Sequence, residues 1–242
     1  MLSAEEMPEV ADGHNAMQKD TCQNAIVLRD DYTGFPVQQF CIPPLYDNYI
    51  EKILIPNGLI KDRIEKMALD IITSFENNKA TSLTLLCVLK GGFKFLADLI
   101  DGLESAIRAR GTIMPIRVDF ARVKTYVNDK SVHEPVLTGL EDPSLYKDRD
   151  ILIVEDIIDT GRTMKHLLKH LTVLSPRSIQ VASLLVKRTP LSSGFRPEFC
   201  GFEIPDHFVV GYAFDYNDNF RDMHHICVIN EAGRKKFSLP FG

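Results

Sequence analysis

Residues 151–164 read ILIVEDIIDTGRTM, and this stretch decides the fold. Its first four residues are apolar and three of them are β-branched, a composition typical of a parallel strand that is covered on both faces. From Met164 onward, apolar residues recur at the spacing of an amphipathic helix. The stretch therefore predicts a buried strand, a tight turn and the N-terminus of a helix.

The turn carries acidic and hydroxyl side chains around one glycine: Glu155, Asp156, Asp159, Thr160, Gly161 and Thr163. A glycine lets the backbone approach a bound group closely, and the free N–H groups of a first helical turn are donors for an anion. A phosphorylated sugar suits this set, because its hydroxyls need acceptors and its phosphate needs donors. A divalent cation between carboxylates and phosphate suits it as well. The alternative is an acid-rich helix cap without function, and the spacing alone does not decide between them.

The same alternation of strand and helix recurs along the chain. Residues 82–89 and 179–186 are nearly uninterrupted apolar runs, and residues 60–75 and 93–103 carry apolar side chains at helical spacing. Shorter strands are predicted at residues 26–28, 208–213 and 225–229. This order favours an α/β fold with a central, mainly parallel twisted sheet flanked by helices, whose ligands bind outside the carboxyl ends of the strands. Residues with suitable chemistry follow four of these strands: residues 90–92, residues 155–163, Lys187 and Asp215.

The segment before the 151–164 stretch divides into a strand and a connection. Residues 115–124 alternate apolar and polar side chains, which predicts a strand near a sheet edge with Ile116, Val118 and Phe120 on its buried face. Residues 125–149 show little apolar periodicity and are predicted to form a long connection without secondary structure. A loop of that length in a compact domain is usually functional or disordered.

The first 24 residues are polar, aperiodic and acidic, which predicts a flexible tail before a single domain of residues 25–242. The tail carries most of the net charge of −5, so the rest of the chain offers little attraction to nucleic acid. The sequence has no apolar run long enough to cross a membrane, and its start lacks the pattern of a signal or transit peptide. The five cysteines are scattered and fit reduced thiols. These features predict a cytoplasmic protein with neither a nucleic-acid nor a membrane partner.

Several separate motifs resemble one enzyme family. From about residue 26 to the end, the chain is similar to the hypoxanthine-guanine phosphoribosyltransferases, a group of type I phosphoribosyltransferases. The similarity rests on these segments in this order: VLKGG (88–92), VEDIIDTG (154–161), VASLLVKRT (181–189), GFEIP (201–205), FVVGY (208–212), DYN (215–217) and FRD (220–222). The resemblance implies the type I phosphoribosyltransferase fold, with a small hood over the purine site formed by the N-terminal lead-in and the C-terminal segment.

The activity implied by the resemblance is transfer of the 5-phosphoribosyl group from phosphoribosyl pyrophosphate to N9 of hypoxanthine or guanine. The products would be IMP or GMP and pyrophosphate, the cofactor would be Mg²⁺, and the assembly would be a homodimer or homotetramer. The alternative from another class is a catalytically silent binding or regulatory protein on the same fold. Loss of the acid at position 159 or of the lysine at position 187 would favour that alternative, and both residues are present.

The resemblance also implies a role for each motif residue. Lys90, Gly91 and Arg221 would contact pyrophosphate, and the Leu89–Lys90 peptide would be cis. Glu155 and Asp156 would accept hydrogen bonds from the ribose and, with Asp215, hold Mg²⁺. The 5′-phosphate and the neighbouring ribose would lie against the turn that contains Ile157, Asp159, Thr160, Gly161, Arg162 and Thr163. Asp159 is also the candidate general base near the purine N7, because the attacking base must lose a proton.

The base would be read by Lys187 at O6, by Phe208 stacking on the ring and by the Val209 backbone. Thr125 and Tyr126 would belong to a flap that closes over the site and excludes water. The chain departs from the family pattern at three of these motifs, with Thr125 for serine, Arg162 for the lysine of the vertebrate pattern and Phe214 for leucine; Phe214 adds bulk beside the purine pocket. The adjacent His224 and His225 are predicted to be structural or surface residues, because consecutive strand residues face opposite ways.

Overall fold

The computed structural model describes Cys22 and residues 24–127 and 130–239, with residues 124–127 and 130–136 described by their backbone only. The predicted acidic tail thus lies almost wholly outside the described residues. The strands are β1 (Ile26–Val27), β2 (Ile50–Ile55), β3 (Leu83–Leu89), β4 (Ile116–Val127), β5 (Lys130–Thr138), β6 (Asp150–Ile158), β7 (Ser178–Arg188), β8 (Phe199–Pro205), β9 (Val209–Val210) and β10 (Ile226–Ile229). The helices are α1 (Asn57–Asn77), α2 (Phe93–Arg110), α3 (Arg162–Val173) and α4 (Glu231–Lys236).

The predicted mainly parallel sheet is confirmed. It has seven strands in the order β1-β8-β7-β6-β3-β4-β5, and every neighbouring pair is parallel except β4 and β5. The strand of the 151–164 stretch, β6, lies at the centre of this order. Side chains of β3 and β6 alternate between two core clusters, one shared with α1 and α2 and the other with α3. Helices therefore cover both faces of the central strands, as their unbroken apolar runs require.

A second, three-stranded antiparallel sheet has the order β2-β10-β9. It joins the lead-in before α1 to the C-terminal segment, and their shared apolar cluster contains Val37, Tyr46, Ile53, Phe220 and Met223 among others. Leu54 and Val228 from the same small sheet reach into the main core. This sheet therefore lies against the main one, next to the ends of β3 and β7.

The sequence missed several elements. β2 and β8 lie in segments for which the sequence pattern predicted no strand, and α4 was not predicted. The predicted strand over 208–213 forms only at Val209–Val210, because the backbone turns into the left-handed region at Gly211. The connection over 125–149 is not free of secondary structure, since β5 pairs antiparallel with β4 over part of it. At the near end of this hairpin, Val123 of β4 and Leu137 of β5 pack partly against the second core cluster.

The prediction that Ile116, Val118 and Phe120 form a buried face of residues 115–124 is wrong for two of the three. Val118 and Phe120 are 40% and 45% exposed, whereas Ile116 packs partly against the first core cluster. Helix α2 packs mainly on β3 and β6, while Val118 and Phe120 on β4 stay partly exposed. All five cysteines are free thiols, and among the described residues no helix is long and apolar enough to cross a membrane.

Candidate active site

Two adjoining clefts open at the carboxyl ends of β3, β6 and β7. The first cleft, of about 250 Å³, is formed mainly by the ends of β3 and β6 and by the turn that leads into α3. The second cleft, of about 300 Å³, runs from these ends to Lys187 and to residues of the C-terminal segment. Both clefts are lined by the same central residues: Lys90, Gly91, Asp156, Ile157 and Asp159. In a ligand that fills both clefts, the middle of the molecule would therefore lie against these residues.

The turn from Asp159 to Thr163 forms the end of the first cleft. Gly161 has a φ of +77°, which a residue with a Cβ rarely adopts, and it stands just before the first turn of α3. The loop after β7 supports the turn from outside: the Ser193 N–H donates to the Thr160 carbonyl at 2.7 Å, and Lys165 Nζ donates to the Ser193 carbonyl at 2.6 Å. The free N–H groups at the start of α3 suit an anion at this point.

Glu155 and Asp156 line the floor of the first cleft. Glu155 is buried, and its pKa is raised well above its usual value because burial and the adjacent Asp156 carboxylate both oppose its negative charge. Burial likewise raises the pKa of Asp156. Two acids held this closely bind a proton readily and gain from hydroxyl donors or a cation. The floor therefore suits a sugar hydroxyl or a metal ion.

The turn after β3 is pressed against Asp156. A Cβ added at Gly91 would lie 1.6 Å from Asp156 Oδ2, so a larger residue here would displace the Asp156 carboxylate. The Leu89–Lys90 peptide is cis, as the resemblance implies. Lys90 extends away from the floor and pairs with Asp218 at 3.0 Å. The backbone of this turn thus borders both clefts beside the acidic pair.

Lys187 stands between two carboxylates where the clefts meet. Its ammonium is 3.6 Å from Asp159 and 3.7 Å from Asp206, and its side chain is only 11% exposed. An ammonium in this position is a donor directed at whatever occupies the second cleft. Asp159, in contrast, is half exposed and borders both clefts. Its carboxylate can therefore accept a proton from a ligand in either cleft.

The second cleft has an aromatic and apolar wall made by Phe208, Val209 and Phe214. Phe208 is 39% exposed, and its ring contacts the edge of Tyr216 and the guanidinium of Arg234, each with a 5.4 Å separation. Phe214, by comparison, is buried and belongs to the main core as well as the wall. A partly exposed ring held from two sides is suited to stacking on a planar base.

Arg221 and Asp215 close the outer side of the second cleft. Arg221 pairs with Asp215 at 2.7 Å and with Asp218 at 3.1 Å, and its Nε is buried with no partner among the described residues. The described residues hold no group of three or more His, Cys, Asp or Glu side chains arranged to bind a metal by themselves. The oxygen chemistry of Asp215, Glu155 and Asp156 nevertheless fits a Mg²⁺ ion that takes further ligands from phosphate and water.

Fourteen of the seventeen predicted site residues line one or both clefts. Arg162 does not, since its side chain is exposed and only its backbone N–H faces the turn, 3.4 Å from Thr160 Oγ1. The side chains of Thr125 and Tyr126 lie outside the described residues. The contacts of Asp206, Asp218 and Arg234 were not predicted from the sequence. For Asp218 a signal was present, because it follows Asp215 by three residues.

The predicted structural role of His225 agrees with its contacts. Its Nδ1 accepts the backbone N–H of Asn57 at 3.0 Å, and its ring packs against Phe40. Asn57 also donates its side-chain amide to the His224 carbonyl. Burial lowers the pKa of His225, which favours the neutral ring that can accept this bond. The pair therefore fixes the start of α1.

The fold and the clefts are those of an α/β protein whose site, at the carboxyl edge of a parallel sheet, has the chemistry to suit a phosphorylated sugar and, beside it, a planar group. Comparison with known proteins gives the class: residues 52–217 match the family model of the phosphoribosyl transferase domain. The hypoxanthine-guanine phosphoribosyltransferase of Schistosoma mansoni is 60% identical over 96% of this chain and 81% of its own. The enzyme of the same name from Homo sapiens is 48% identical over 88% of this chain and 96% of its own.

A solved structure agrees with these relatives. The crystal structure of hypoxanthine-guanine phosphoribosyltransferase from Schistosoma mansoni in complex with IMP matches with a TM-score of 0.76 and 53% identity, over 89% of this chain and 100% of that chain. The chain belongs to the hypoxanthine-guanine phosphoribosyltransferase family.

Proposed function

We propose that the protein transfers the 5-phosphoribosyl group from phosphoribosyl pyrophosphate to N9 of hypoxanthine or guanine, producing IMP or GMP and pyrophosphate. The observation that supports this most strongly is the pair of adjoining clefts with a shared centre. A sugar phosphate in the first cleft and a purine in the second would meet at Asp156 and Asp159, where the glycosidic bond must form.

The first cleft is proposed to hold the sugar phosphate. The 5′-phosphate would take N–H donors from the turn at Thr160, Gly161 and Arg162 and hydroxyl donors from Thr160 and Thr163. The ribose hydroxyls would donate to Glu155 and Asp156, whose raised pKa values indicate carboxyls that gain from such donors. Ile157 would pack between sugar and base.

The second cleft is proposed to hold the base. The Lys187 ammonium would donate to O6 of a 6-oxopurine, and it would oppose the amino group that adenine has there. Phe208 would stack on the ring and the Val209 backbone would bond its edge. Asp159 would take the proton from N7 as N9 attacks the sugar, and it stands 3.6 Å from the Lys187 ammonium at the border of the two clefts.

Pyrophosphate is proposed to leave along the border formed by Lys90, Gly91 and Arg221. The Arg221 guanidinium lines the second cleft and is a charged donor group that suits such an anion. Asp215, with Glu155 and Asp156, would hold Mg²⁺, which when bound neutralises charge on the departing pyrophosphate. Thr125 and Tyr126 would close over the site, since an oxocarbenium-like transition state must be shielded from water.

The remaining proposals come from the sequence. Residues 25–242 would form one domain, with the small sheet of β2, β9 and β10 as its hood. We also propose a cytoplasmic location, from the sequence, and a homodimer or homotetramer, from the resemblance to the family.

A spectrophotometric assay tests the activity directly. The protein would be mixed with phosphoribosyl pyrophosphate and Mg²⁺ and given hypoxanthine, guanine, xanthine or adenine in turn. We expect turnover of hypoxanthine and guanine and none of adenine. Absence of turnover with every 6-oxopurine, in protein shown to be folded, would instead favour a silent binding protein.

A further inference from the structure

The backbone just before Asp215 has an unusual conformation. Gly211, Tyr212 and Ala213 have φ angles of +85°, +53° and +77°, so three consecutive residues lie in the left-handed region and two of them carry a Cβ. That region is unfavourable for L residues and persists only where surrounding contacts fix it. We call residues 211–214 the left-handed turn.

Backbone hydrogen bonds tie the left-handed turn to the strip that carries Arg221. Gly211 and Phe214 exchange two bonds of 3.0 Å, the Tyr212 N–H donates to the Met223 carbonyl at 2.8 Å, and the Ala213 N–H donates to the Arg221 carbonyl at 3.2 Å. The guanidinium of Arg221 returns a bond of 2.7 Å to the Ala213 carbonyl. The turn therefore sets where Arg221 and the neighbouring Asp215 stand.

One side chain connects this turn to a different part of the site. The Tyr212 ring is buried, and its hydroxyl donates to Asp98 Oδ2 at 2.5 Å. Asp98 lies on α2, the helix that begins directly after the 90–92 turn, and it also pairs with Lys61. Lys94, one helical turn before Asp98, places its ammonium 5.3 Å from the centre of the Tyr212 ring. Burial and the Asp98 carboxylate raise the pKa of Tyr212, so its hydroxyl stays a donor.

We propose that Tyr212 and Asp98 are positioning residues for the reaction. Their hydroxyl–carboxylate bond holds the left-handed turn against α2 and so fixes Asp215 and Phe214 relative to the pyrophosphate-binding turn at Lys90 and Gly91. Neither residue lines the first or the second cleft, so neither is placed to touch substrate there. The inference rests on the proposed function, because it takes Asp215 as the residue that holds Mg²⁺.

The test is a Mg²⁺ titration of the forward reaction with Tyr212→Phe, which removes only the hydroxyl. The Mg²⁺ concentration at half-maximal rate and the KM for phosphoribosyl pyrophosphate should both rise by about three- to tenfold, the effect of one lost hydrogen bond. Asp98→Ala should behave alike, and the double variant should be no worse than either single one, since both remove the same bond. Asp98→Asn keeps an acceptor oxygen and should restore most of the wild-type behaviour.

The chain offers a matched control. Tyr146 is also fully buried and also donates to an aspartate, Asp119, at 2.5 Å, but it belongs to the other core cluster. Tyr146→Phe should lower the melting temperature about as much as Tyr212→Phe and leave the Mg²⁺ requirement unchanged. Lys61→Met, which spares the hydroxyl–carboxylate bond, should also leave it unchanged.

Asp215→Asn separates this inference from the proposed function. If Asp215→Asn raises the Mg²⁺ requirement and Tyr212→Phe does not, the positioning role is wrong while the metal assignment stands. If Asp215→Asn has no effect, the metal assignment is wrong and the positioning role falls with it. Equal effects of Tyr212→Phe and Tyr146→Phe on the Mg²⁺ requirement would also overturn the inference, since the cause would then be general loss of stability.

Discussion

The two clefts are built in different ways. The first cleft is largely the product of one continuous segment, in which the end of β6, the turn and the start of α3 supply both acids and donors. The second cleft is assembled from the end of β7, from residues around β9 and from the turns that precede β10. The acids and donors suited to a sugar phosphate thus come mostly from one segment, whereas those suited to a base come from several segments that the fold brings together. The first cleft should therefore control binding of the phosphate and the second the choice of base.

The largest effect is expected where the clefts meet. Asp159→Asn should lower kcat by about 10²–10⁴-fold, the contribution typical of a general base, and leave the Kd for IMP within a few-fold of wild type. Steady-state kinetics and calorimetric titration measure the two quantities. Asp206→Asn is the matched control, because Asp206 stands equally close to Lys187 but lines neither cleft. Its effect should stay within about fivefold, as for an exposed ion pair. Equal losses of kcat and IMP affinity in Asp159→Asn would mean a structural role.

Lys187→Met should affect the second cleft alone. Losing a hydrogen bond from a charged donor to O6 should raise the KM for hypoxanthine and guanine by about 10- to 100-fold, with a much smaller change in the KM for phosphoribosyl pyrophosphate. Initial-rate kinetics with each substrate varied in turn would show this. The exposed Lys169→Met on α3 controls for loss of a positive charge. A rise confined to the phosphoribosyl pyrophosphate KM would contradict the division of roles.

Gly161→Ala should affect the first cleft alone. The new Cβ would lie 2.8 Å from Phe195 Cβ and 2.9 Å from Ser193 Oγ, at a φ of +77° that itself costs about 1–2 kcal/mol for an L residue. We expect the KM for phosphoribosyl pyrophosphate to rise about tenfold with the KM for the base little changed. Gly194→Ala is a useful control, because its φ is also positive but nothing lies within 4 Å of its added Cβ.

The smallest effect is on stability and concerns Glu155. Because its pKa is raised in the fold, the stability it contributes is present below its usual value of 4.5 and is lost as the pH rises through the raised pKa. Glu155→Gln should therefore melt a few degrees higher than wild type at pH 8, and the difference should shrink toward pH 4.5. Thermal unfolding without ligands measures this.

Glu76 provides the opposite case. Its hydrogen bonds from Thr112 and Arg110 lower its pKa, so Glu76→Gln should lose stability at pH 8 and not at low pH. If Glu155→Gln melted below wild type at pH 8, contacts within the protein would stabilise the charged Glu155 carboxylate. It would then not need donors from a ligand.

The same comparison explains what the sequence could predict. The strands β3, β6 and β7 and the helices α1, α2 and α3 were predicted, because each carries its own apolar pattern. The first cleft followed from the local order of acids, glycine and threonines. The family motifs supplied Lys187, Phe208 and Asp215, but the contacts that hold them did not follow from any local pattern. Asp206 beside Lys187, Arg234 behind Phe208 and Asp98 beneath Tyr212 come together only through the fold. The exposed Val118 and Phe120 were misjudged because a strand pattern does not reveal where a covering helix ends.

The central claim, that one cleft binds phosphate and the other reads the base, is tested most directly by titrating inosine and IMP into three proteins. The two ligands differ only in the 5′-phosphate. The Kd of inosine divided by the Kd of IMP therefore measures how much the phosphate adds to binding, which we assign to the first cleft. We predict a ratio that falls sharply in Gly161→Ala and stays at the wild-type value in Lys187→Met, although Lys187→Met weakens both ligands. A ratio that fell in Lys187→Met and persisted in Gly161→Ala would contradict the account.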